Sequence, residues 1–317
     1  MTQENQSWTA KTKMLAESLT KYFEVNGHSL ICRNSLSGEL ILPFIQSAEI
    51  TEDWTRAISS IISTPTGVAR TKGRFDAWES GWSKCLDEAL TNPKDFMSFV
   101  PHYIKNSGGQ YLVNAQPSLF NENPEVAMAK ATTQLIIDLA KVHGANTIME
   151  CGCGTGWRLA LLRQHGFTGH LLGTDWTEAS KHCVQLLNEN FQTNLSFRHM
   201  DLTDAKPLLK DRNSMVLTYG ALEQLNTEWA SFWQMCENSK DKNIVFVHFE
   251  PIASMYELEN PNERLMLALH KAKNYLEGYA EHLFKERDAG RIHLDEYRLP
   301  LGSRFLETAN LLIWKFR

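Results

Sequence analysis

The sequence predicts an α/β protein built on a doubly wound, mainly parallel sheet, and three observations carry that expectation. Short apolar runs alternate with helical patterns through the C-terminal two thirds of the chain. A glycine-rich turn stands between the first of these strands and its helix, and acids end three successive strands at Glu150, Asp175 and Asp201. The carboxyl edge of such a sheet is where open α/β proteins bind ligands.

The turn reads Met149-Glu150-Cys151-Gly152-Cys153-Gly154-Thr155-Gly156-Trp157. The apolar run 146–149 precedes it, and 158–163 behind it has helical spacing and good helix formers. Glycines at alternate positions let the backbone take positive φ and approach a ligand closely, and the following helix offers free N–H groups. A dinucleotide fingerprint would place its third glycine three residues after the second; Trp157 stands there instead. Glu150 would repel a pyrophosphate and attract an ammonium group, so the turn points away from NAD. It resembles motif I of the class I S-adenosylmethionine-dependent methyltransferases, whose pattern is acid-x-Gly-x-Gly-x-Gly after the first strand, and Glu150, Gly152, Gly154 and Gly156 match all four positions. The resemblance implies a Rossmann-like seven-stranded sheet with an antiparallel last strand, S-adenosylmethionine as cofactor and S-adenosylhomocysteine as product.

Composition sets the outer bounds. The chain has 317 residues, 43% of them hydrophobic, enough for one large domain or a domain with an appendage. A formal charge of -5 without a long basic run argues against a nucleic-acid partner. No run reaches the roughly 18 apolar residues of a membrane span and the N-terminus lacks a signal-peptide core, so a cytoplasmic protein without a membrane partner is expected. Cys32, Cys85, Cys151, Cys153, Cys183 and Cys236 are scattered in apolar or helical surroundings, which suits reduced, buried thiols. Cys151 and Cys153 lack a second ligand pair, and no metal is expected.

Residues 1–122 are expected to form a mainly helical extension that acts as a lid, followed by a cofactor-binding domain over 123–317. Trp54, Ile58, Ile61 and Ile62 share one helical face; Phe75, Trp78, Trp82, Cys85, Leu86 and Ala89 share another, assigned to packing in preference to a pocket. Asn92-Pro93 ends the second helix. In the family the segment before motif I folds over the cofactor, which makes Tyr103 and Tyr111 lid or pocket candidates. Asn123-Pro124 then opens a helix with Leu135, Ile136, Leu139 and Val142 on its buried face.

Beyond the turn, 170–174 reads as a second strand ending at Asp175, placed to accept from both hydroxyls of a ribose; Trp176 adjoins it. A helix over 177–191 and a strand over 195–200 lead to Asp201-Leu202, which resembles the adenine site of the family, although Asp201, Thr203 and Asp204 also suit a helix cap. The fourth strand, 214–218, delivers Tyr219 and then Glu223 and Gln224 to the cleft. Glu223 is either a base or substrate anchor, or an acid favoured by a helix N-terminus. The fifth, nearly all-apolar strand, 243–249, ends at Glu250, read as another cleft residue. A long helical insertion over about 254–288 brings His270 and Tyr275 as candidate pocket residues, beside Asn274 and His282. Strands over 291–298 and 309–316 close the chain, and the pair resembles the antiparallel end of the family's sheet.

The expected activity is O- or N-methylation of a small polar metabolite, such as a sugar or amino-acid derivative, with a small-molecule acceptor as the partner. The catalytic candidates are Glu223, Glu250, His270 and Tyr275. The cofactor candidates are Tyr111, Glu150, Gly152, Gly154, Gly156, Asp175, Trp176, Asp201, Leu202 and Tyr219. The alternatives are a catalytically silent S-adenosylmethionine-binding interaction module, a protein side-chain methyltransferase and, disfavoured by Trp157 and Glu150, an NAD oxidoreductase. The sequence leaves the oligomeric state open.

Overall fold

The computed structural model describes residues 24–26, 29–34, 38–45, 72–105, 110–113, 116–120, 124–205, 213–297 and 310–317. The expected helix around Trp54 to Ile62 lies outside them, as do Asn123 and the segment 298–309 that joins the last two strands. Five short strands come first: β1 (Glu24–Asn26), β2 (Ser29–Asn34), β3 (Gly38–Ile45), β4 (Gln110–Val113) and β5 (Gln116–Phe120). They pair antiparallel in the order β1-β2-β3-β5-β4. Sequence reasoning expected helix in this third of the chain. It is helical from Lys72 to Thr91 (α1) and at His102–Lys105 (α2), but the antiparallel sheet is an addition that was not foreseen.

After α3 (Pro124–His143) come the seven strands of the main sheet, β6 (Thr147–Cys151), β7 (His170–Asp175), β8 (Leu195–His199), β9 (Ser214–Tyr219), β10 (Ile244–Phe249), β11 (Ile292–Tyr297) and β12 (Leu311–Phe316). Their order is β11-β12-β10-β9-β6-β7-β8. The five strands from β6 to β10 are parallel, whereas β12 runs antiparallel to both β10 and β11. This is the Rossmann-like sheet with an antiparallel end.

Period-two alternation divides the strand residues between two cores. Ile148, Leu171, Met215, Leu217, Val245 and Val247 pack on one face, with Leu135, Leu139, Leu159, Leu162, Val184 and Leu187 of α3, α4 (Trp157–Gln164) and α5 (Glu178–Phe191). Met149, Leu172, Val216, Phe246, Leu312 and Trp314 pack on the other, with Phe232 and Met235 of α6 (Ala230–Glu237) and Leu283 of α8 (Tyr279–Asp288). Every residue of β6 and β10 is buried because both faces are covered.

The insertion after β10 is not one long helix. It is a 3-10 turn, α7 (Pro261–Ala272) and α8, broken where Asn274 and Gly278 take φ of 54° and 81°. Left-handed residues cannot continue a right-handed helix.

Strand order reverses at β6, which has β9 on one side and β7 on the other. The loops leaving β6 and β9 therefore diverge above a crevice at the carboxyl edge. They touch at its floor, since a Cβ on Gly152 would stand 2.5 Å from Cβ of Ala221. Helix α1 closes the crevice from above. Its Glu79 carboxylate accepts from the backbone N–H groups of Glu178 (2.9 Å) and Ala179 (3.0 Å), capping α5 from outside. Thr155 of the turn donates to the Phe99 carbonyl at 2.6 Å, fixing the segment that follows α1.

Candidate active site

The glycine turn holds its shape through its own backbone. Gly152, Gly154 and Gly156 have φ of 73°, 53° and 80°, where L side chains are strained. Gly152 and Cys153 donate to the Thr174 carbonyl at 2.8 and 2.9 Å, and Gly154 donates to Asp175 Oδ2 at 3.0 Å. The other oxygen of Asp175 accepts from the Thr177 N–H and hydroxyl at 3.1 and 2.9 Å. Asp175 thus braces the turn and also lines the cleft, with lone-pair capacity left on Oδ2. Burial raises its pKa while these hydrogen bonds oppose the shift.

Glu150 is different in kind. It is 1% exposed, lines the cleft, and its Oε2 has no hydrogen-bond partner among the described residues. Burial pushes its pKa up to about 8, Arg158 pulls it down and Asp175 adds a smaller upward push. A buried carboxyl without a partner is costly unless a ligand completes it.

The cleft is lined by Glu150, Gly152, Gly154, Asp175, Trp176, Asp201, Leu202 and Tyr219, so these cofactor candidates converge, whereas Gly156 lies outside the lining, where a Cβ would meet Val184 at 2.8 Å. Asp201 also caps a 3-10 turn, accepting from the Thr203 N–H and hydroxyl at 2.8 and 2.6 Å. Asp201 therefore caps the turn and lines the cleft at once. Tyr111 lies in β4, and its side chain is outside the described residues.

The roof comes from the N-terminal helix. Trp82 packs on the turn so closely that a Cβ on Gly154 would meet its ring at 2.9 Å, and Trp78 stacks on Trp82 at 5.1 Å between centroids. Of the stripe assigned to packing, Trp78 and Trp82 line the cleft, together with Tyr103 and Arg74, while Cys85, Leu86 and Ala89 pack in the core as expected. Arg74 was missed, although the signal was present: Arg74, Trp78 and Trp82 stand four residues apart on one helical face. Burial lowers the pKa of Arg74, and Glu223 and Tyr275 raise it, which places the three within electrostatic reach of one another.

The catalytic candidates separate. Gln224 and Glu228 line the cleft itself, and Glu223 stands beside Gln224, accepting from its amide at 2.6 Å. The charge of Glu223, with burial, pushes the Tyr275 hydroxyl far above its usual pKa. Glu250 is corrected to a structural role. Its Oε1 accepts from the N–H groups of Ala221 and Leu222, and its Oε2 from that of Glu223, all at 3.1 Å. It caps the 3-10 turn Leu222–Leu225 from below and contributes nothing to the lining of the cleft.

His270 is corrected too. Its Nε2–H donates to the Leu276 carbonyl at 2.9 Å, closing the turn after α7, and it lines a second cavity that shares no residue with the cleft. Tyr275 lines that second cavity while remaining within reach of Glu223.

Comparison with known proteins agrees with this geometry. Residues 149–240, from the last buried strand residues before the turn to the end of α6, match the model of the methyltransferase domain family. Over that stretch, which holds the glycine turn and the strands on either side of it, the chain is similar to a methyltransferase domain. No curated protein matches the chain.

Among solved structures, the domain is similar to the plantazolicin methyltransferase BpumL in complex with a monoazolic desmethylPZN analog and SAH (13% identity, 78% of this chain and 99% of that one, TM-score 0.42). It is also similar to magnesium protoporphyrin IX methyltransferase (ChlM) from Synechocystis PCC 6803 with bound SAH (14%, 62% and 87%, TM-score 0.43). A third likeness is to the O-methyltransferase from Bacillus cereus in complex with SAH (13%, 84% and 99%, TM-score 0.42). The assignment rests on the family match and on the residues of the turn, not on these distant likenesses.

The methyltransferase domain fits its cofactor: an orphan buried carboxyl oxygen faces the cleft, and a glycine cradle stands beside an acid at the end of the next strand. Among the described residues there is no cluster of three or more His, Cys, Asp or Glu able to hold a metal. Nor, among them, is any helix long and apolar enough to cross a membrane.

Proposed function

We propose that the protein transfers the methyl group of S-adenosylmethionine to an oxygen or nitrogen of a small polar metabolite of the sugar or amino-acid class. The observation that carries this reading is the polar part of the cleft wall, where Arg74, Gln224 and Glu228 line the same space as the glycine turn and the aromatic side chains of Trp78, Trp82 and Tyr103. A silent binding module has no use for such a wall, and apolar side chains would fill the space at less cost.

When bound, the cofactor supplies an electrophilic methyl group on a positively charged sulfur. The chain's task is then alignment and removal of one proton. Glycines 152 and 154 bring backbone against the ligand; Asp175 accepts from ribose hydroxyls through Oδ2; Asp201 and Leu202 receive the adenine. Trp82 and Trp78 cover the site and exclude water. Glu223 is the candidate to take the proton of an acceptor hydroxyl or ammonium, with Gln224 holding its carboxylate and Arg74 and Tyr275 beside it. A methyl transfer of this kind asks for no metal.

The test is calorimetric titration with S-adenosylmethionine, S-adenosylhomocysteine and NAD, followed by transfer of a radiolabelled methyl group to a panel of sugar and amino-acid derivatives and to protein. Binding of the first two and labelling within the small-molecule panel is the expected result. Binding of NAD alone would overturn the cofactor, and labelling of protein alone the acceptor class.

A further inference from the structure

Arg158 is the second residue of helix α4, directly behind the glycine turn, and lines the cleft with Glu150, Gly152 and Tyr219. Its guanidinium carbon stands 3.5 Å from the centre of the Tyr219 ring and 4.8 Å from that of Trp157. Tyr219 is itself stacked on Phe249 at 5.1 Å, so the guanidinium rests on a fixed aromatic platform.

A cation held by its face keeps its edge of N–H donors available. Among the described residues that edge has no hydrogen bond and no ion pair. Arg163, one and a half turns further along the same helix, shows the contrast. Its Nε and Nη2 donate to the carbonyls of Thr193 and Gly169 at 2.9 Å, and Nη1 to that of Phe167, as a structural arginine does. Arg158 is oriented but unused.

Arg158 acts electrostatically on Glu150, the acid with the orphan oxygen, which lines the same cleft. One end of the cleft thus presents a carboxyl lacking a donor and a guanidinium lacking an acceptor. That arrangement complements a zwitterion: an α-ammonium for the carboxyl and an α-carboxylate for the planar fork of the guanidinium.

Resting on the cofactor reading above, we infer that Arg158 is the carboxylate receptor of this site. It binds the α-carboxylate of the cofactor's amino-acid end while Glu150 binds the α-ammonium, and the pair sets the requirement for an amino-acid-bearing nucleoside. A pyrophosphate would satisfy Arg158 and leave Glu150 without an ammonium partner, so the same pair disfavours dinucleotides.

The experiment needs no acceptor. Calorimetric affinities of wild type, Arg158→Met, Arg158→Lys and Glu150→Gln are measured for S-adenosylhomocysteine and for 5′-methylthioadenosine, which keeps the nucleoside and sulfur but lacks the amino-acid end. Arg158→Met weakens S-adenosylhomocysteine at least about tenfold and leaves 5′-methylthioadenosine within about twofold, which also reports an intact cradle. Arg158→Lys, which keeps the charge and loses the fork, falls between. Unchanged S-adenosylhomocysteine affinity in Arg158→Met overturns the assignment. So does an equal loss for both ligands, which would make Arg158 a prop of the cradle. A wild type that binds neither ligand defeats the cofactor reading itself, a result distinct from either.

Discussion

Two glutamates end strands at the same edge of the sheet, both buried and both with pKa pushed up by burial, to about 8 for Glu150 and about 7 for Glu250. At the end of β6 the turn is held by backbone bonds and by Asp175, which leaves Glu150 an oxygen without a partner. At the end of β10 the order is reversed, and the segment leaving β9 is held by Glu250, which accepts from three consecutive backbone N–H groups. The difference teaches that a strand-end acid belongs to ligand or to backbone according to how its lone pairs are spent. Both acids are buried at the same edge, Glu150 as the next-to-last residue of β6 and Glu250 one residue beyond β10.

The comparison has a further layer beneath Glu250. Trp314 Nε1–H can only donate, and it reaches His248 Nε2 at 2.9 Å, so the imidazole proton is on Nδ1 and is given to Thr218 Oγ1 at 3.0 Å. The Thr218 hydroxyl is then free to donate to Glu250, a bond that lowers the Glu250 pKa against the effect of burial. Burial holds His248 neutral, with its pKa pushed down to about 3. A one-way file of donors therefore runs from β12 through β10 and β9 and ends at Glu250, which also accepts from the segment that carries Glu223.

The sharpest break is Glu250→Ala, which strands three N–H groups at once. A loss of about 3–5 kcal/mol in unfolding free energy is expected from urea titration, whereas Glu150→Ala removes an unpaired buried carboxyl and is neutral or stabilising. Equal losses for the two variants would erase the distinction. Gly154→Val comes next. It must hold φ at 53° and place its side chain into Trp82, so S-adenosylhomocysteine affinity falls by about a hundredfold or more; calorimetry of a folded variant with wild-type affinity would refute the cradle.

Glu223→Gln is expected to lower turnover about a hundredfold with cofactor affinity within about twofold, read by steady-state kinetics beside calorimetry. Survival of turnover would return Glu223 to the role of a helix-end acid.

The pH dependence tests the orphan acid. With its folded pKa about 8 against an ordinary 4.5, Glu150 is protonated in the free protein at neutral pH and must ionise to receive an ammonium. Asp175, which raises the Glu150 pKa, and Arg158, which lowers it, are the charged groups that face it. Ligand uptake then releases a proton, and affinity for S-adenosylhomocysteine rises by on the order of fiftyfold from pH 6 to 8 and levels off above. For folding the sign is opposite. The native chain keeps a proton that the unfolded chain loses above about 4.5, so this group's contribution to stability declines as pH rises from there to about 8. Glu150→Gln should flatten the binding profile, and a slope that persists places the titrating group elsewhere. The smallest effect is that of Thr218→Val, which interrupts the file and costs about 1 kcal/mol; Thr218→Ser should restore it.

How far these features could be read in advance follows from their physics. Strands β6 to β10 stand within a residue or two of their expected limits, because doubly covered parallel strands are continuous apolar runs bounded by turns. The glycine turn and the three acids were legible because backbone conformation and charge are properties of the residues themselves. The fates of Glu250 and His270 were not. Each depends on which backbone groups lie opposite, and three-dimensional pairing leaves no mark at that position in the sequence. The five-stranded antiparallel sheet escaped because its strands are short and divided by a long helical stretch, so that β3 and β5 meet across more than seventy residues of chain. Arg158 was taken only as a helix former; that it would have no partner is a fact about its neighbours.

The cap that Glu79 places on α5 spans 99 and 100 positions of sequence. A chain emerging from synthesis carries Glu79, Trp78 and Trp82 long before the helix end and glycine turn that they cover exist. Those aromatic residues must wait in an exposed, association-prone state until residue 178 has been made. The cleft thus cannot close before the glycine turn and the start of α5 exist, and closing it hides the aromatic face of α1.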